Sequence, residues 1–408
     1  MTRDLLTPTA LGIYLLTFLS GVAGALVLPT LSLFFAEEIS VSPFWVGVPF
    51  AGMAIGSIVY NQAIGEWSDK LSQRRNLTLG LCLVGVITCA VLAVSRHYAL
   101  TAFLTIACLS LAMVSFSQIL AYSLEYAESS LPPVRVALFN ALVRAQMAFA
   151  WVAGPPVGFF IVARLGFTAL FVVTAGLFAV VAVLCLWLLP GRASRSDEIP
   201  IASGKPDVAQ QSIASNKPLL IALAAFSILW GVNNAYLISI PLHVSRNLGL
   251  ETEWVGWLMS ATAALEVPVM LAAGYLATRL PLLLLVRLSG LAAIVLYLGI
   301  FWGQALWHLF ALQLANALFI GILAGLGVSV VQVMLPGRAG SASALYTNTT
   351  HLGTLLSSVL IATVAEMWGY RSVFLANALL VMVAIGLFFA VRLPAAPLNP
   401  NDKSATSP

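Results

Sequence analysis

Apolar runs of 20 residues or more, separated by short polar breaks, fill this chain from residue 10 to residue 392. A helix needs about 20 apolar residues to cross the hydrocarbon core of a bilayer. Twelve runs reach that length, at 10–35, 44–65, 76–95, 98–124, 135–163, 167–189, 218–242, 253–278, 282–302, 307–333, 340–364 and 371–392. The pattern predicts an all-α membrane protein. One long polar stretch interrupts it, "PGRASRSDEIPIASGKPDVAQQSIASNK" at 190–217. It reads as a cytoplasmic linker between two six-helix bundles, 1–189 and 218–392, with 393–408 a cytoplasmic tail.

Composition strengthens this picture. Of 408 residues, 61% are hydrophobic and 8% charged, where a soluble domain carries about 25% charged residues. The first apolar run exceeds the ~7–15-residue core of a cleaved signal, so it is read as a retained helix. The cysteines Cys82, Cys89, Cys108 and Cys185 lie inside apolar runs without metal-ligand spacing. They are expected as small buried hydrophobes, with no metal or cofactor. The net charge of +4 reflects basic loops beside a membrane and implies no nucleic acid.

Those loops give an orientation. With both termini inside, the outer loops hold only Arg96, Arg164, Arg246 and Arg371. Apart from Arg144, the other basic residues among the 19 fall on the inner side, as the positive-inside rule requires. A multi-pass membrane protein with both ends cytoplasmic, acting as a monomer, is expected.

The two halves echo each other. "FWVGVPFAGMAIGS" (44–57) leads the second helix and "EWVGWLMSATAALE" (253–266) the eighth, so Trp45-Val46-Gly47 maps onto Trp254-Val255-Gly256. "SSLPPVRVALFN" before the fifth helix resembles Leu335-Pro336-Gly337-Arg338 before the eleventh. Related halves place a substrate site near the midplane at their interface. "GEWSDKLSQRR" (65–75) resembles the loop signature of the major facilitator superfamily through Gly65, Asp69, Lys70, Arg74 and Arg75. Its expected role is gating: Asp69 would accept bonds from a neighbouring helix end and latch the inner face. The repeat copy has Thr278 where Asp69 stands, so the latch is expected on one side only.

Charge inside a bilayer is costly and marks function. Arg144 in the fifth helix and Glu266 in the eighth lie about ten residues or more from any loop, and Glu125 nears the end of the fourth. Gln118, Tyr122 and Glu125 share one helical face, and Asn140, Arg144, Met147 and Trp151 another. The fourth and fifth helices are joined by a short loop and must be antiparallel neighbours, so the two stripes can face each other around one cavity. A carboxylate, a guanidinium, an amide and an indole there suit a sugar, whose hydroxyls bond the ionic groups while the ring face covers its C–H side. The plain alternative is an Arg144–Glu125 pair that only fastens two helices. Glu266 has Ser57 as its repeat counterpart. Desolvation favours the neutral form of a carboxyl group, so Glu266, with Glu125, is the candidate for proton coupling; it could instead bind sugar hydroxyls or neutralise Arg144. Asn233, Asn234 and Asn348 are further substrate candidates. Trp230, Tyr236, Gln313, Asn316 and His351 add polar groups that more often serve as interhelical hydrogen bonds.

Gly154-Pro155-Pro156-Val157-Gly158 resembles the fifth-helix antiporter motif of the superfamily, G-P-x-x-G. Physically it means a kinkable helix with close packing, able to hinge or seal the outer pathway. Residues 21–47, "VRAQMAFAWVAGPPVG" (143–158), "ATAALEVPVMLAAGY" (261–275) and "MLPGRAGSASALYTN" (334–348) look like the bacterial sugar efflux transporters, the Set family of that superfamily. The resemblance implies proton-driven export of sugars such as lactose, glucose and related glycosides. Glu125, Arg144, Trp151 and Glu266 are also similar to the pattern of lactose permease, a proton–sugar symporter of the same fold. The tenth helix departs from that pattern, with no histidine or carboxylate in its interior. The alternatives are a proton-coupled drug exporter and a sugar–proton uptake symporter. An intramembrane enzyme would need a catalytic dyad or metal cluster, and no H-E-x-x-H, paired aspartates or Cys/His array occurs.

Overall fold

The computed structural model describes residues 3–68, 74–188 and 216–391. The linker, the tail, Asp69, Lys70 and the side chain of Arg74 lie outside the described residues. The helices are α1 (Pro8–Glu38), α2 (Pro43–Ser68), α3 (Arg74–Val94), α4 (Tyr98–Ser130), α5 (133–165), α6 (167–188), α7 (Lys217–Asn247), α8 (Glu253–Leu276), α9 (Leu282–Trp302), α10 (Leu306–Met334), α11 (Gly340–Trp368) and α12 (Tyr370–Ala390). α5 and α6 follow each other almost without a loop. They part at Gly166, whose φ of 80° and ψ of 175° leave the helical region. Gly supplies that positive φ at no steric cost. A straight helix of 55 residues would run about 80 Å, more than twice a bilayer core.

The repeat is written in the backbone as well as the sequence. α1 ends in a π-helical turn at Phe34–Glu38 and α7 in one at His243–Asn247. The step from Phe34 to His243 equals that from Gly47 to Gly256 (243 − 34 = 256 − 47 = 209). The two turns bind each other across the interface between bundles: Ser245 Oγ donates to Glu37 Oε1 at 2.6 Å, and the Arg246 guanidinium to the carbonyl of Ala36.

The repeated glycines sit at the flanking crossings. A Cβ at Gly47 in α2 would lie 2.8 Å from the Ser358 carbonyl of α11, and one at Gly256 in α8 2.6 Å from Pro156 Cα of α5. Each W-V-G motif therefore puts a residue without a side chain where one bundle's backbone crosses the other's. Glu366 accepts the Phe44 N–H at 2.9 Å beside the first crossing, and Arg164 pairs with Glu253 at 2.6 Å beside the second.

All these contacts lie in the outer part of the helices, taking the face with both chain ends as inner. The innermost hydrogen bond between bundles among the described residues runs from Ser260 Oγ to the carbonyl of Val152. Among the described residues, the hydrogen bonds and glycine crossings that join the bundles therefore lie in their outer halves. Gly256→Val should prop the outer face open, since overpacking a close contact costs about 1–3 kcal/mol. Labelling of a cysteine at Ser260 by an impermeant maleimide from outside should then rise about ten- to a hundredfold; unchanged labelling would mean that this crossing does not set the closure.

Candidate functional site

The G-P-P-V-G segment of α5 forms a three-helix junction. A Cβ at Gly154 would lie 2.5 Å from Ala25 Cβ of α1, and one at Gly158 2.9 Å from the Leu26 carbonyl, while Pro155 and Pro156 meet Gly256 of α8. The glycines admit α1 and the prolines face α8, and the helix runs on through both prolines.

This junction fixes where the rest of α5 points. Leu138, Phe149 and Phe160, at steps of 11 residues, form one exposed face. Eleven residues are three helical turns, so the three stack in a line. Asn140, Arg144, Trp151 and Pro155, at steps of four, seven and four, lie on the other side. Ala150 and Gly154 touch α1, and Val152 and Pro156 touch α8. The apolar line therefore belongs to lipid and the polar line to the wedge between α1 and α8. Arg144 is exposed in that wedge, and among the described residues it has no ion-pair or hydrogen-bond partner.

α8 gives the same separation. Val255, Met259, Thr262, Glu266 and Ala273 share a face, and all but Glu266 are buried. Trp257, Leu271 and Tyr275 lie opposite and are exposed, Leu271 by 72%. Glu266 therefore points away from lipid. It is half-buried, with no hydrogen bond or ion pair among the described residues. The Ser260–Val152 bond sets those two positions level. At 1.5 Å per residue, Glu266 lies about 9 Å and Arg144 about 12 Å inward from it. A lone acid and a lone cation thus sit at nearly the same depth on two helices that cross between the bundles.

Other predicted positions behave differently. α5 runs along α1, at Gly21–Ala150 and Ala25–Gly154, so the expected pairing of α4 with α5 along their lengths is corrected. α4 and α5 meet instead around Phe139, whose ring is 5.6 Å from Tyr126 and 5.3 Å from Tyr14. Glu125 is exposed near the inner end, Gln118 is buried, and Tyr122 packs between hydrophobic clusters. No Arg144–Glu125 ion pair joins the helices among the described residues. Asn140 and Trp151 are half-buried. Asn234 donates to Thr354 of α11 at 3.1 Å, and Asn233 is buried beside it. Asn348 shares a face with exposed Leu352 and Val359, so it does not join this group. Gln313, Asn316, Tyr236 and Thr262 tie α7, α8 and α10 in a buried knot, with Thr262 Oγ1 donating to Gln313 Oε1 at 2.6 Å and Tyr236 Oη at 3.1 Å. Gly65 lies in the last turn of α2 with open space around it, and Arg75 is the second residue of α3 on the same inner side.

Sequence reasoning passed over Asn61 and Ser117, joined at 3.0 Å between α2 and α4, and Tyr14 and Tyr126. The available signal was spacing: Asn61 stands four residues after Ser57, and Tyr126 four after Tyr122.

Two six-helix bundles joined through their outer halves, with polar groups on the helices between them, have the architecture of a membrane transporter. The Major Facilitator Superfamily model matches residues 13–350 and again 255–408. Sugar efflux transporter A of Dickeya chrysanthemi is 38% identical over 90% of this chain and 91% of its own. Sugar efflux transporter A of Escherichia coli (strain K12) is 34% identical over 93% and 95%. The chain belongs to the sugar efflux transporter family of the major facilitator superfamily. Its fold is shared with the nucleoside transporter NupG, at TM-score 0.78 and 15% identity over 94% of this chain and 99% of that one. It is shared too with a bacterial homologue of the human lysosomal transporter Spinster in an inward-facing, unoccupied conformation, at TM-score 0.77 and 12% identity over 95% and 98%.

Proposed function

We propose that this protein exports sugars, of the class of lactose, glucose and related glycosides, from the cytoplasm across a bacterial inner membrane by alternating access with proton antiport. Arg144 and Trp151 grip the sugar, with Asn140, Glu125 and the α7 amides Asn233 and Asn234 around them. Glu266 carries the proton. Asp69, Lys70, Arg74 and Arg75 close the inner face, and the G-P-P-V-G junction closes the outer one.

The observation that carries this reading is Arg144 on the wedge side of α5, at nearly the depth of Glu266, each without a partner among the described residues. A guanidinium without a protein partner keeps its donors for a ligand. A carboxyl group without one can be claimed alternately by a proton and by substrate. That the cargo is a sugar is supported by the names of relatives 30–38% identical over most of the chain, sugar efflux transporters.

Counterflow of labelled lactose and glucose in inverted vesicles, with and without a pH gradient, tests it. Sugar exchange that the gradient accelerates is expected. Exchange of neither sugar, with ethidium moved instead, would replace the sugar reading by the drug-exporter one.

A further inference from the structure

The geometry points to a second ligand site, for a small oxyanion, on the outer face of the C-terminal bundle; it does not depend on the sugar reading. A polar cavity of about 270 Å³ lies where the outer ends of α7, α9 and α12 meet, lined by His243, Asn247, Leu248, Gly303, Gln304 and Arg371.

Two features of this corner ask for a ligand. The first is His243, only 1% exposed, whose ring nitrogens make no well-formed hydrogen bond among the described residues and have only the Asn247 side chain, itself on the cavity wall, as a nearby polar partner. Buried polar groups are nearly always satisfied. The second is Arg371. Of the four outer arginines, Arg96 pairs with Glu38 and Arg164 with Glu253, and Arg246 is exposed and reaches the Ala36 carbonyl of the other bundle. Arg371 is half-buried, its Nε donates to the Phe301 carbonyl at 2.7 Å, and its guanidinium stacks 4.8 Å from the Phe301 ring. No carboxylate meets it among the described residues and none lines the cavity. A half-buried cation whose partners among the described residues are a neutral carbonyl and a ring face is incompletely compensated. One carboxylate or phosphate oxyanion would balance that charge, take the two free Nη groups as a fork, and accept from His243, Asn247 and Gln304.

The cavity lies against the π-turn that closes the outer face. His243 and Asn247 begin and end that turn, and Ser245 and Arg246 between them hold Glu37 and Ala36 of the N-terminal bundle. An anion held by His243 and Asn247 would steady the turn and so favour outer closure.

The test is a thermal-unfolding titration of purified full-length protein, in phosphate-free detergent with inorganic phosphate or acetate, and in nanodiscs with or without phosphatidylglycerol. Saturable stabilisation by phosphate, weakened at least tenfold in both Arg371→Gln and Gln304→Glu, is expected. The second variant leaves Arg371 and its contacts in place and supplies an internal carboxylate that competes for the cavity. Stabilisation by phosphatidylglycerol alone, lost in the same variants, would support the site with a lipid phosphate as its occupant. No saturable effect from either source, or an effect that folded Gln304→Glu retains in full, would overturn the proposal.

Discussion

Arg144→Lys should abolish detectable sugar counterflow while leaving the protein folded and inserted. Lysine keeps the charge but replaces a planar fork of five donors with a compact ammonium. At a bidentate site at least one charge-assisted hydrogen bond is lost, worth about 1.5–3 kcal/mol, or roughly a ten- to 150-fold weaker site. The protein itself should tolerate the change, because Arg144 makes no bond to it among the described residues. Unfolding temperature and membrane yield should therefore match the parent. Counterflow of parental affinity in this variant would remove Arg144 from the sugar site. A collapse in yield would instead reveal that the guanidinium fastens helices.

The second large effect is expected at Glu266. Glu266→Gln should keep counterflow, which needs only binding and reorientation, yet lose its response to a pH gradient. One pH unit is worth about 1.4 kcal/mol per proton, a tenfold shift in sugar distribution. In the variant that ratio should fall to about one. Glutamine preserves shape and hydrogen-bonding capacity while removing the exchangeable proton. Gradient-driven accumulation that survives the substitution would move coupling elsewhere, first to Glu125, which is exposed toward the inner face. Loss of counterflow along with the gradient response would make Glu266 a sugar ligand.

These two residues stood out in the sequence because charge in the middle of an apolar run carries its own cost. The tie between the repeated W-V-G motifs and function was only half visible. Their recurrence could be read, but not that each glycine marks a crossing between bundles, since the partners Ser358 and Pro156 lie 100 residues or more away. The outer oxyanion corner gave no linear signal, because His243, Gln304 and Arg371 come from three separate helix ends. The polar residues of α10 read in the sequence more often as interhelical hydrogen bonds than as pathway groups, and packing does close Gln313 and Asn316 into a knot with Thr262 and Tyr236.

By itself the sequence determined the number of membrane helices, their ends to within about six residues, the pairing of the bundles, and the two charges within the spans. All of these follow from apolar length and from residues too polar for lipid, properties each segment carries alone. Tertiary structure decided which helix each face meets. It set α5 against α1 rather than α4, turned Asn348 to the side of Leu352, and brought Arg144 level with Glu266. Helical period limits a side chain to one face, but whether that face meets lipid, protein or open space depends on distant segments packed around it.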